Sequence, residues 1–121
     1  MIIALPVEEA SLSSEICPSF GRTPFFLIYD MATKEASFLP NSAAESQGGA
    51  GIKAAQLLLD NGVGALLTPR CGENAAKLLL EAEVKIFESV SRPAQQNLYV
   101  FKAGGLPLLT RFHPGYQGNG N

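Results

Sequence analysis

A chain of 121 residues with a formal net charge of −2 has the size of one domain and lacks the broad basic surface that nucleic-acid binding requires. Its composition, 46% hydrophobic and 17% charged, suits a packed core and excludes a disordered chain. No apolar run reaches the ~20 residues of a membrane-spanning helix, and no partner at a membrane is expected.

The start, Met1-Ile2-Ile3-Ala4-Leu5, lacks the basic opening and small-residue cleavage site of a signal peptide. With only two cysteines beside it, this predicts reduced thiols and a cytoplasmic location. Met1 to Val7 is an almost wholly apolar run and reads as a strand buried on both faces. A serine-rich loop follows from Glu8 to Thr23. Pro24 to Asp30 and Ala36 to Pro40 are two further strands, and the short connector from Met31 to Glu35 suits a hairpin. A loop from Asn41 ends in Gly48-Gly49-Ala50-Gly51.

From Ile52 the period becomes helical. Ile52, Ala55 and Leu59 share one face, Lys53, Gln56 and Asp60 the other, and Asn61-Gly62 is a stop signal. Val63 to Thr68 is a buried strand closed by Pro69. A second helix starts at Glu73 or Asn74, with Ala75, Leu78, Leu79 and Ala82 as its apolar stripe. Val84 to Phe87 is the last strand. Pro93 opens a third helix that buries Ala94, Leu98 and Phe101 and ends at Gly104-Gly105. The order β-β-β-α-β-α-β-α predicts an α/β domain with a parallel second half and helices on both faces. His113 to Asn121 has no periodicity and reads as a mobile tail.

If the first strand pairs antiparallel with the second, and the second with the third, strands one, three, four and five run the same way. The loops holding Cys17 to Arg22, Gly48 to Gly51 and Arg70 to Gly72 then emerge at one edge, where open α/β sheets bind ligands. Thiolates are soft ligands for iron, copper and metal–sulfur species, which makes Cys17 and Cys71 candidate metal ligands. Cys71 precedes a helix, whose dipole favours a thiolate; the alternative is a small buried hydrophobe. Arg22 and Arg70 offer charge to an anion, although Arg22 also lies within sequence reach of Asp30. Gly49-x-Gly51-x-x-Ala54 matches a dinucleotide pattern, but it does not follow the first strand directly. A loop ending at a helix start is therefore the favoured reading, with anion binding at its amides left open. The single histidine, His113, has no nearby acid to orient it, and the carboxylates are scattered. No catalytic dyad is legible, so an enzyme is not expected.

These landmarks carry a resemblance. Ile3-Ala4-x-Pro6-Val7, Phe20-Gly21-Arg22-x-Pro24-x-Phe26, Asp30, Asn41, Gly49-x-Gly51, Gly62-Val63, Cys71-Gly72-x-Asn74-Ala75, Leu79 and Val84-Lys85-Ile86 resemble the dinitrogenase iron–molybdenum cofactor-binding family, the group of NifX, NafY and the C-terminal domain of NifB. The resemblance covers about residues 1–104. It implies a three-layer, ribonuclease-H-like α/β/α fold with a five-stranded mixed sheet whose second strand is antiparallel. Residues 1–105 would form the cofactor-binding domain and residues 106–121 a flexible C-terminal extension. It also implies a non-catalytic carrier of an iron–sulfur or iron–molybdenum cofactor or an oxyanion precursor, with a protein partner in cofactor assembly. Cys17, Ser19, Arg22, Gly49, Gly51, Arg70, Cys71 and Gly72 are its expected binding residues. Ser19 stands where the family often places a histidine before Phe-Gly-Arg, and Cys17, two positions earlier, offers a soft atom instead. The alternative is a regulatory or scaffolding domain of the same fold that binds a protein and no cluster.

Overall fold

The computed structural model describes residues 1–114. Five strands, β1 (Ile2–Val7), β2 (Phe25–Asp30), β3 (Glu35–Pro40), β4 (Val63–Thr68) and β5 (Lys85–Glu88), form one sheet in the order β3-β2-β1-β4-β5. β1 is antiparallel to β2 and parallel to β4; β2 and β3 are antiparallel, β4 and β5 parallel. The mixed sheet with an antiparallel second strand is therefore as expected. Its centre is apolar because β1 and β4 must be covered on both faces. Ala4 and Leu66 pack under α1 (Ala50–Asp60) and α2 (Glu73–Glu81), while Ile3, Leu5 and Leu67 face α3 (Ala94–Lys102). Three layers result, with two helices on one face and one on the other. Among the described residues no helix is long and apolar enough to cross a membrane.

Local chemistry sets the joints. Asp30 Oδ1 accepts from the Ala32 amide at 2.8 Å, which turns the chain between β2 and β3. A 3₁₀ turn (Ser42–Glu45) follows β3 and is capped by Asn41, whose Oδ1 accepts from the Ala43 amide. The first helix starts at Ala50, two residues ahead of the periodic signal. Gly49, at φ +69, makes the turn into it in a conformation that a side chain would resist. At its far end Asn61 and then Gly62, at φ +72, stop the helix.

Asn97 of α3 is fully buried. Its Oδ1 accepts from the Val90 amide at 2.8 Å and its Nδ2 donates to the Arg92 carbonyl at 2.9 Å, which pins the loop after β5. Replacing it by alanine strands those backbone groups in the interior, so Asn97→Ala is expected to cost about 2 kcal/mol. The check is a lower urea midpoint at an unchanged denaturant slope.

Residues 106–114 depart from the expected flexible extension. Glu88 donates its amide to the Pro107 carbonyl at 2.8 Å, and Leu109 donates to the Ile86 carbonyl at 2.9 Å, so the segment continues the sheet beside β5. It then reaches α2, where the Glu73 amide donates to the His113 carbonyl at 2.9 Å and the His113 amide to the Cys71 carbonyl at 3.3 Å. Leu106 and Leu109 are buried. Three anchors, Leu106, Leu109 and His113, hold the segment, in a stretch that forms no helix. The remainder of the expected tail, residues 115–121, lies outside the described residues.

Candidate functional site

The carboxyl ends of β1, β3, β4 and β5 lie on one edge of the sheet. The loop after β1 folds back along its own strand. The Cys17 amide donates to the Pro6 carbonyl at 2.9 Å, Ile16 bridges Val7, and the Thr23 hydroxyl donates to the Val7 carbonyl at 2.9 Å. Cys17 is thereby fixed beside the end of β1, while Ser19 next to it is exposed. The Cys17 thiol donates to the Ser19 carbonyl at 3.6 Å. Burial, with a contribution from the Glu8 carboxylate, raises its pKa above the ordinary thiol value. At neutral pH it is a thiol.

The Phe20-Gly21-Arg22 turn meets the start of α1. Phe20 is buried against Phe26, with ring centroids 5.4 Å apart. Gly21 packs so closely that a Cβ there would stand 2.8 Å from the Gly51 nitrogen. Asn41 Nδ2 donates to the Gly21 carbonyl at 3.0 Å and to the Thr23 carbonyl at 2.9 Å. Arg22 is exposed, and its Nη1 donates to the Ala44 carbonyl at 2.8 Å, not to Asp30. Cys17, Ser19, Arg22, Gly49 and Gly51 thus belong to two loops in contact.

The turn after β4 is built differently. Cys71 is fully buried, packed in the core that contains Ala75, Ala76 and Leu79, and burial pushes its thiol up to about 12. That is opposite to the lowering expected from the helix start. Desolvation of the charged form outweighs the dipole, and the His113 carbonyl already accepts from the first amide of α2. Gly72 precedes that helix and is bridged to His113, while Arg70 is exposed.

Two clefts open on this edge and share Pro69. One, of about 520 Å³, lies between the loop after β1 (Glu15, Ile16, Pro18), Pro69 and the loop after β5 (Ser89 to Pro93, including Arg92). The other, of about 530 Å³, is lined by Arg70, Glu88 and the 109–113 segment. Both fall in the ordinary size range of small-ligand pockets. Sequence reasoning missed Ser89, Arg92 and Arg111. The first two were within reach, because the strand-direction rule that selected the other loops applies equally to the loop after β5. Among the described residues no group of three or more His, Cys, Asp or Glu side chains could hold a metal ion.

The family model for the dinitrogenase iron–molybdenum cofactor matches residues 1–104. The chain belongs to that family. No curated protein matches it. Among solved structures it is similar to the apo form of the orange protein from Desulfovibrio gigas, at 32% identity and a TM-score of 0.85, over 90% of this chain and 92% of that one. A protein of Thermotoga described as NifB-like is also 32% identical, with a TM-score of 0.81 over 92% of this chain and 95% of the other. A dinitrogenase-like protein of Methanocaldococcus jannaschii, 19% identical with a TM-score of 0.69 over 92% of this chain and 96% of that one, shares the fold. Within the matched span, Gly21 packs against Gly51 and Asn41 holds the Gly21 carbonyl, which joins the first two loops here.

Proposed function

We propose that the protein binds and carries an anionic metal–sulfur species, of iron–sulfur, iron–molybdenum or thiomolybdate type, without converting it. The observation that carries this reading is the cleft of about 520 Å³ at the carboxyl edge, bounded by the loop that holds Cys17 and by Pro69 and Arg92. Its lining is largely apolar, with one guanidinium (Arg92), one carboxylate (Glu15) and two serines, so it offers a soft anion desolvation together with one cation. A cargo whose own sulfides complete its metal coordination makes no demand for a cage of protein thiolates, in keeping with the donor set present. Raised pKa values at both thiols argue against nucleophilic catalysis by either, and a metal bound at Cys17 would have to displace the thiol proton. The family and the likeness to the orange protein support a cofactor-binding role. Arg92 is the proposed cationic contact in the cleft and Cys17, on the loop that bounds it, the soft one, with Ser19, Arg22, Gly49 and Gly51 on the adjoining loops. Arg70, Cys71 and Gly72 close the neighbouring turn.

Anaerobic titration of the reduced protein with tetrathiomolybdate tests the reading. The visible band is expected to co-elute with the protein. Arg92→Ala and Cys17→Ser are each expected to weaken binding about tenfold, which is about 1.4 kcal/mol, whereas Cys71→Ser leaves the affinity within about twofold. Absence of binding to tetrathiomolybdate and to a preformed iron–sulfur cluster alike would overturn it and leave the protein-binding scaffold in its place.

A further inference from the structure

The second cleft lies outside the site just proposed and is built mainly by residues beyond the family-matched span. Five of its eight lining residues, 109 to 113, belong to the C-terminal segment. We infer that this cleft, between Arg70 and Arg111, is a separate binding site for a multivalent oxyanion of the phosphate or molybdate class.

The geometry begins with the backbone. The segment is tied to β5 at Leu109 and to the turn after β4 at His113, by hydrogen bonds of 2.9 Å to Ile86 and 3.3 Å to Cys71. Residues 110 to 112 therefore span the gap between the two strand ends and bring Arg111 into the lining of the same cleft of about 530 Å³ as Arg70. Charge follows. Two arginines line the cleft against a single carboxylate, Glu88, with the imidazole of His113 at its wall. Among the described residues no hydrogen bond or ion pair engages either guanidinium side chain. Two unengaged guanidinium side chains from residues lining one cleft favour a ligand that accepts from both, and tetrahedral oxyanions can do so with paired oxygens. The excess of positive charge over Glu88 selects a dianion over a monoanion.

The inference does not require the carrier reading: its test uses different ligands and turns on Arg111, which lies outside that site, together with the adjoining Arg70. ¹⁵N-labelled full-length protein is titrated with inorganic phosphate in one arm and molybdate in another, with chloride at matched ionic strength as the control. Saturable shifts are expected at the amides of Arg70, Gly72, Arg111 and Phe112, and Arg111→Ala or Arg70→Ala should each weaken the interaction about tenfold. Arg22→Ala should not change it. Both side chains are exposed, so the variants retain the wild-type spectrum elsewhere. Phosphate alone, molybdate alone or both can saturate the site; each supports it and identifies the source. The inference is overturned if neither anion shifts these amides, if the shifts match chloride, or if they persist unweakened in the Arg70→Ala/Arg111→Ala double variant.

Discussion

Folding stability falls as the pH rises from 9 towards 12, and most of the fall disappears in Cys71→Ala. The unfolded chain releases a cysteine proton near the ordinary value of 9.0, whereas burial holds the folded Cys71 thiol protonated up to about 12. Between these values the unfolded state binds fewer protons, so each pH unit removes about 1.4 kcal/mol, or about 4 kcal/mol over the whole window. Below pH 9 the contribution is complete and the profile is flat with respect to this group. Cys17, also raised by burial, adds a smaller loss of the same sign. The informative quantity is the difference between wild type and Cys71→Ala, read by urea unfolding at several pH values. Parallel curves for the two proteins would show that Cys71 is not the group responsible. The same burial predicts that iodoacetamide modifies Cys71 only when the protein unfolds.

Cys71 also shows where sequence reasoning stops. A residue one step ahead of a helix can aim at the exposed helix start or into the core, and the two outcomes move a thiol pKa in opposite directions. Which one holds here is set by the 106–114 segment, whose His113 carbonyl takes the first amide of α2. Leu106, Leu109 and His113 are spaced i, i+3, i+7, but with only two apolar residues among them and prolines at 107 and 114 the stretch forms no helix, so that spacing does not mark them as anchors. Arg111 became a site residue only through those long-range bonds. The sheet was legible because its signals are local: apolar runs for β1 and β4, Asp30 for the hairpin, and Asn61-Gly62 for the end of α1. The contact between the Cys17–Arg22 loop and the Gly49–Gly51 turn followed from strand direction alone. What strand direction could not supply was side-chain orientation: Arg22 meets the Ala44 carbonyl and not Asp30.

Gly21→Ala is expected to destabilise the protein by about 3 kcal/mol, at the upper end of what one added methyl group does in a packed interior. A Cβ at this position would lie 2.8 Å from the nitrogen and 2.9 Å from the Cα of Gly51, and 3.1 Å from the carbonyl carbon of Ala50. All three are backbone atoms in the first turn of α1, so no side chain can swing aside. Either the helix start retreats or the Phe20-Gly21-Arg22 turn lifts. The second course strains the Asn41 hydrogen bonds to the Gly21 and Thr23 carbonyls and unseats Phe20 from Phe26. Lifting the turn moves Arg22 as well, so tetrathiomolybdate affinity should fall together with the urea midpoint. Gly48→Ala is the matched control: an added Cβ meets nothing within 4 Å, and its cost should stay within about 0.5 kcal/mol, as for an ordinary surface change. If Gly21→Ala and Gly48→Ala unfold at the same urea concentration, the close approach of the two loops is not what holds this edge of the sheet together.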